Sequence, residues 1–295
     1  MFEHLRVARV SSVLLAIAIG SIAALPVSRA IPNQRSAATV RQSFPKRILY
    51  IEGGPRPEPK FINRSMSDIG GPRVVLLQRT TDNKYLRMNV DAPDELRDGF
   101  PRTNEELFAY DGLILGPIEA RAFTLEQHQM IADFVGVHGG GLLVLGGALS
   151  LGEGGWAGTP LAHVVPVVFE SEAAGASRVS ELSRISPTPA GLSHRAIHIA
   201  DSASEAMRLW LELPPVTTVN GVHEAPGAVT LLTATDGDGS DHIVLAVQNQ
   251  GRGKSAVFTV QDSWRWVMTA KIDSPVHERF WRSLLAWLVD GVPES

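Results

Sequence analysis

The sequence predicts an α/β domain: a mostly parallel sheet with helices on its faces and an antiparallel extension. Three observations lead there. Short apolar runs recur at 48–51, 73–80, 111–116 and 142–145, bounded by glycines or polar turns. Segments with helical period and capping signatures stand between them. In the second half, strand-like segments follow one another across tight turns.

Ile48, Leu49, Tyr50 and Ile51 read as a buried first strand. "PKFINRSMSDIG" supplies a helix closed by Gly70-Gly71, and "RVVLLQRT" (73–80) is the second strand. Residues 81–102 read as a long connection. Thr103 and Glu106 then form a capping box that opens the short helix "NEELFAY", and "DGLILG" (111–116) is the third strand. Thr124 and Gln127 form a second capping box. The helix "LEQHQMIADFVGVH" puts Met130, Ile131, Phe134 and Val135 on one face, and Gly139-Gly140-Gly141 ends it. Leu142–Leu145 is the fourth strand. This alternation implies parallel strands joined by crossover helices. Residues 228–234, 242–248 and 255–260 read as three further strands, with turns at Asp236-Gly237-Asp238-Gly239 and Gly251-Arg252-Gly253. A last helix starts at Pro275, turns Phe280, Trp281, Leu284, Leu285 and Leu288 inward, and stops at Gly291 and Pro293. The domain runs over 46–292.

The first thirty residues follow another plan. Arg6 and Arg9 precede an uncharged stretch from Val10 to Val27, and Ser28 and Ala30 stand at the small-residue positions before a cut. This predicts a secretory signal over 1–30. At about 18 residues, the stretch is also long enough for an uncleaved membrane anchor. Either way the chain is expected to be exported, periplasmic or anchored facing the periplasm, with any membrane contact through this segment. Residues 31–45 are polar and aperiodic, a linker. A net charge of −4 without a basic face argues against nucleic acid as partner. The absence of cysteine excludes disulfides, thiolate metal sites and a thiol nucleophile.

Four stretches carry a resemblance: "ILYIEGGPRPEPKFI", "NEELFAYDGLILGPIEA", "GGGLLVLGGALSLGEGGWAGTPLA" and "VFTVQDSWRW". Together they resemble the glutamine amidotransferase-like domain of bacterial exported or membrane-associated proteins. The resemblance covers about residues 46–290 and implies a flavodoxin-like three-layer sandwich, the scaffold of class I glutamine amidotransferases. Those enzymes place a cysteine at a strand-to-helix turn, and a histidine with a carboxylate after a late strand. The matching positions here are Gly146-Gly147 and Asp262-Ser263-Trp264. Neither thiol nor imidazole stands there, so no catalytic residue is assigned and glutaminase activity is not expected.

In an open parallel sheet, ligands sit beyond the carboxyl ends of the strands. That rule gathers Glu52 and Arg56, Glu119, Gly146 and Gly147, Ser150 and Glu153, and Asp262, Trp264 and Arg265, with Trp266 beside them, as a candidate crevice. Its expected occupant is a small polar ligand or an envelope protein. The alternative is a carboxylate-based hydrolase, with Glu52, Glu119 or Asp262 as acid or base and Arg56 or Arg265 as anion clamp.

Other motifs read more plainly. Ser150 lacks the first glycine of a nucleophile elbow and is expected to cap a turn. His194 and His198 are four apart, but the prolines at 187 and 189 suggest an extended segment rather than a metal-binding helix. "DGDGSD" (236–241) lacks the calcium-loop glycine and glutamate and reads as a hairpin turn. The glycines of 139–155 match no dinucleotide or P-loop pattern, so no cofactor is predicted.

Overall fold

The sheet begins with the alternation read above. The computed structural model describes residues 45–67, 71–82, 84–171, 178–180, 182, 184–269 and 275–291. All belong to one compact unit, Phe44–Ser295. Residues 1–44, which hold the expected signal or anchor segment and all but the last residue of the expected linker, lie outside the described residues, as do Gly70 and Pro293. No helix among the described residues is long and apolar enough to cross a membrane.

In chain order the elements are β1 (Arg47–Glu52), α1 (Glu58–Met66), β2 (Arg73–Thr81), β3 (Lys84–Met88), α2 (Asn104–Phe108), β4 (Gly112–Leu115), α3 (Leu125–Asp133) and β5 (Gly141–Leu145). There follow β6 (Val167–Val168), β7 (Arg178–Ser180), β8 (Ser186–Pro187), α4 (Pro189–Ser193), α5 (Ala203–Leu211), β9 (Thr218–Asn220) and β10 (His223–Glu224). The chain closes with β11 (Val229–Thr235), β12 (Asp241–Gln250), β13 (Gly253–Phe258), α6 (Trp264–Thr269) and α7 (Val276–Val289).

Nine strands form the main sheet in the order β3-β2-β1-β4-β5-β13-β12-β11-β8. The middle five, β2, β1, β4, β5 and β13, are mutually parallel. Numbered among themselves along the chain, they take the order 2-1-3-4-5 of flavodoxin-like sheets, whose switch point lies between β1 and β4. Antiparallel strands extend both edges: β3 on one, and β12, β11 and β8 on the other.

Successive residues of each central strand feed opposite cores. Ile48, Tyr50, Ile114, Leu143 and Phe258 pack under α1, α5, α6 and α7. Leu49, Ile51, Leu113, Val144 and Val257 pack under α2 and α3. Two buried faces explain why these strands read as unbroken apolar runs. The architecture is a three-layer, flavodoxin-like α/β sandwich.

The Thr124 box is complete: Thr124 Oγ1 accepts from Gln127 N at 3.2 Å and Gln127 Oε1 from Thr124 N at 3.0 Å. The Thr103 box is half made: Thr103 Oγ1 accepts from Glu106 N at 3.3 Å, but the Glu106 carboxylate turns to Arg102 N instead of Thr103 N. The helix predicted over 125–138 ends in a wider π turn over Phe134–His138, and Gly139 closes it at φ +95°. Asp236 folds the hairpin turn by accepting from Asp238 N at 3.0 Å and Ser240 N at 2.9 Å.

The structure departs from the sequence reading in several places, among them the following. The connection 81–102 contains β3, an edge strand that exposes Leu86 and Met88. The stretch around His194 and His198 is not extended: Pro189 starts α4, and Arg195–Ile197 forms a 3-10 turn in which His194 Nδ1 accepts from Ala196 N at 3.2 Å. Trp266 is not on the crevice rim but buried among Trp210, Phe258 and Phe280.

Candidate functional site

The parallel strands deliver their carboxyl ends to one lip. Beyond β5, Gly146 N donates to Phe258 O at 2.7 Å, and a Cβ on Gly146 would run into the carbonyl of Thr259. A Cβ on Gly147 would fall 2.7 Å from Cγ of Pro117 and 3.1 Å from Oε1 of Gln261. The turn after β5, the residue after Gly116 and the segment leading to Asp262 are therefore in mutual contact. Gly147 holds φ +144°, where a side chain is strained.

Asn220, at the end of β9, fastens this turn. Its Oδ1 accepts from Gly147 N at 2.9 Å, and its Nδ2 donates to Gly147 O at 3.2 Å and to Glu153. Glu153 also pairs with Arg178 at 3.2 Å. Ser150 is buried, and its hydroxyl donates back to Leu145 O at 2.5 Å, the turn cap expected of it.

At the switch point, the carboxylates of β1 and the β4 loop are each held by arginine. Buried Glu52 accepts from Arg56 Nε at 2.7 Å and from the Tyr50 hydroxyl at 2.9 Å. Burial pushes the Glu52 carboxyl up, with Arg56 pulling against it. Arg56 then crosses the lip, its Nη1 donating to Gln261 O at 2.6 Å. Gly116 makes room for this pair: a Cβ there would stand 2.7 Å from a Glu52 carboxylate oxygen. Arg79 of β2 grips Glu119 with two bonds, 2.9 and 2.7 Å, while its Nε donates to Gly53 O at 2.9 Å. Those bonds hold the Glu119 carboxyl below its usual range. Asp262 accepts from the Thr217 hydroxyl at 2.7 Å, and Arg265 stands 3.7 Å away, half-exposed. Thr217 and Arg265 line an open cavity of about 420 Å³ with Pro214, Pro215 and Val216.

One cluster below the lip was not legible in the sequence. Glu58, first residue of α1, accepts from Trp264 N at 3.2 Å and from the Ser263 hydroxyl. His277 of α7 brings Nε2 to 3.4 Å from that hydroxyl and Nδ1 to 3.5 Å from Ser65 Oγ. Trp281 Nε1 donates to Ser263 Oγ at 3.0 Å. An imidazole thus does reach the segment after β13, where the sequence alone gave none. The arrangement is not that of a nucleophile triad. Glu58 sits on the serine rather than on the histidine, and all three side chains are buried. Burial pushes Glu58 up to about 7 and His277 down to about 4, leaving the imidazole neutral. Among the described residues, no group of three His, Asp or Glu side chains is placed to hold a metal ion.

A five-stranded parallel core in this order, with its loops meeting at one lip, defines a flavodoxin-like α/β sandwich. The family described as "Putative glutamine amidotransferase" matches residues 73–290, and the chain belongs to it. Two solved structures from Salmonella typhimurium are similar in fold. The cytoplasmic protein STM1381 of strain LT2 shares 19% identity over 82% of this chain and 99% of its own, with a TM-score of 0.58. The cytoplasmic protein STM3548 shares 17% over 82% and 98%, with a TM-score of 0.59. At such identities the likeness shows the fold alone. No curated protein matches the chain.

Proposed function

We propose that this chain is an exported, non-catalytic member of its family that binds a small polar ligand or an envelope protein at the strand-end lip. One observation carries the reading: the turn that would present a nucleophile is locked by Asn220, and its serine hydroxyl is turned inward. The chain also has no cysteine to take that role. The four acidic side chains of the lip speak against the carboxylate-based alternative, since each already accepts from an arginine, a hydroxyl or an amide. A general base needs a lone pair facing its substrate. The hollow beside Asp262, with Arg265 half-exposed on its wall, offers the opening through which a partner is bound. Export rests on the basic, apolar and small-residue order of the first thirty residues.

The test is twofold. The purified full chain is incubated with glutamine and ammonia release is followed; sustained turnover above a no-protein control overturns the reading. Thermal shift against a library of small polar metabolites is then compared between the wild type and Arg265→Ala. A hit that the variant loses supports the lip as the binding surface.

A further inference from the structure

The opposite rim, where β1 and β4 begin, borders a larger cavity of about 630 Å³. Arg47, Leu96, Arg97, Phe100, Ala109 and Tyr110 are among its walls. The polar groups here are unevenly matched. Glu95 is occupied: it accepts from the Tyr110 hydroxyl at 2.5 Å, from Asp91 N at 2.6 Å and from Arg47. Asp98 faces Arg102 at 3.4 Å, and Glu106 accepts from Arg102 N at 2.8 Å. Asp94, exposed on the rim, has no side-chain partner among the described residues. Two arginines also keep unused donors. Arg47 lies 4.8 Å from the Tyr110 ring centroid and gives Nη2 to Asp91 and Glu95, but its buried Nε has no hydrogen-bond partner. Arg97 has no side-chain partner among the described residues. Leu96, just before it, is held at φ +54°, a conformation that costs a non-glycine residue energy and collects at binding sites. A buried donor without an acceptor is costly in the same way.

We propose that this cavity binds a small organic acid with a flat apolar body. The carboxylate is taken by Arg97 and the Arg47 guanidinium, and the body lies against Phe100 and Tyr110. A planar carboxylate suits a guanidinium fork. The aromatic walls favour an apolar body over inorganic phosphate. The site lies at the other end of the strands from the lip and does not depend on what the lip binds.

Benzoate titrated into the isotope-labelled full chain tests this by NMR, with benzamide as neutral isostere and inorganic phosphate as competing anion. The expected result is saturable perturbation of Phe100, Ala109 and Tyr110 signals by benzoate. Benzamide, and benzoate on Arg97→Ala, bind at least about tenfold more weakly, the worth of a charge-assisted hydrogen bond. Arg97 is exposed, so that variant keeps the fold; Ala109→Trp, which fills the cavity from an exposed position, abolishes the perturbation. No saturation by about 10 mM benzoate overturns the proposal, because weak specific binding falls in the millimolar range. So does equal binding of benzamide, preferential binding of phosphate, or indifference to both substitutions.

Discussion

Asn220 holds both polar groups of Gly147, its Oδ1 taking the N–H at 2.9 Å and its Nδ2 giving to the carbonyl at 3.2 Å. A side chain from the second half of the chain thereby stands in for the backbone partner that the turn after β5 lacks. Asn220→Ala leaves the buried Gly147 N–H without an acceptor, while Gly147 O keeps the Ser150 N–H at 3.1 Å, and is expected to cost about 1–3 kcal/mol. Asn220→Asp keeps the acceptor but removes the donor and sets a second carboxylate beside Glu153, so it is expected to be at least as damaging. Urea unfolding followed by circular dichroism measures both.

Gly146→Ala is expected to prevent normal folding or to cost more than about 4 kcal/mol. The new methyl would meet the backbone carbonyl of Thr259 and part β5 from the end of β13. Gly155 offers a contrast: it has positive φ but open space around it, so Gly155→Ala should cost about 1 kcal/mol from backbone strain alone. Comparing the two unfolding midpoints separates collision from strain.

Glu58 and His277 should tilt stability against pH in opposite senses. The unfolded glutamate loses its proton near 4.5, the folded one near 7, so its contribution is lost as pH rises between those values. The unfolded histidine binds a proton near 6.5, the folded one only near 4, so its contribution grows over 4 to 6.5. Each spans about 3 kcal/mol, and in the wild type they largely cancel. Glu58→Gln is expected to become more stable from pH 4 to 6.5, and His277→Asn less stable from pH 4.5 to 7. Parallel pH profiles of the two variants would count against this assignment.

Lys254, buried at the end of α7, donates to Trp287 O at 3.1 Å and to the Asp290 carbonyl, with Trp287's ring 5.3 Å below its ammonium. It occupies the place of a C-terminal helix cap. Burial pulls its pKa down. Lys254→Met keeps the apolar stem but leaves those carbonyls without their donor, for an expected loss of about 2 kcal/mol and a lower Tm.

The central strands were legible because both faces of each are buried, which writes an apolar run into the sequence. β3 was not: Leu86 and Met88 are exposed, Lys84 and Arg87 interrupt the run, and nothing local marks the pairing with β2. Helix α5 carries a readable local signature: Ser202 Oγ accepts from Glu205 N at 3.2 Å, the serine and glutamate standing three apart as at a helix start. The strand-end rule gathered residues that the fold brings to one lip. It could not name Asn220, which is 73 positions from Gly147, or Glu58, which is 205 from Ser263. Such contacts are set by the crossover topology rather than by spacing. Nor could it foresee that the acids would come already matched with arginines, since pairing depends on which side chains the closed sheet brings within reach.

Gly112, the first residue of β4, would with a methyl group meet Ile48 of the opening strand and Val289 of the closing helix, each at 3.1 Å. The folded unit is therefore threaded in and out at its floor. A reporter or surface tether joined before Lys46 or after Gly291 departs from that side and leaves the far rim around Gly147 unobstructed. The two junctions are also close enough to invite circular permutation, with new ends cut in the solvent-facing Asp236–Ser240 turn.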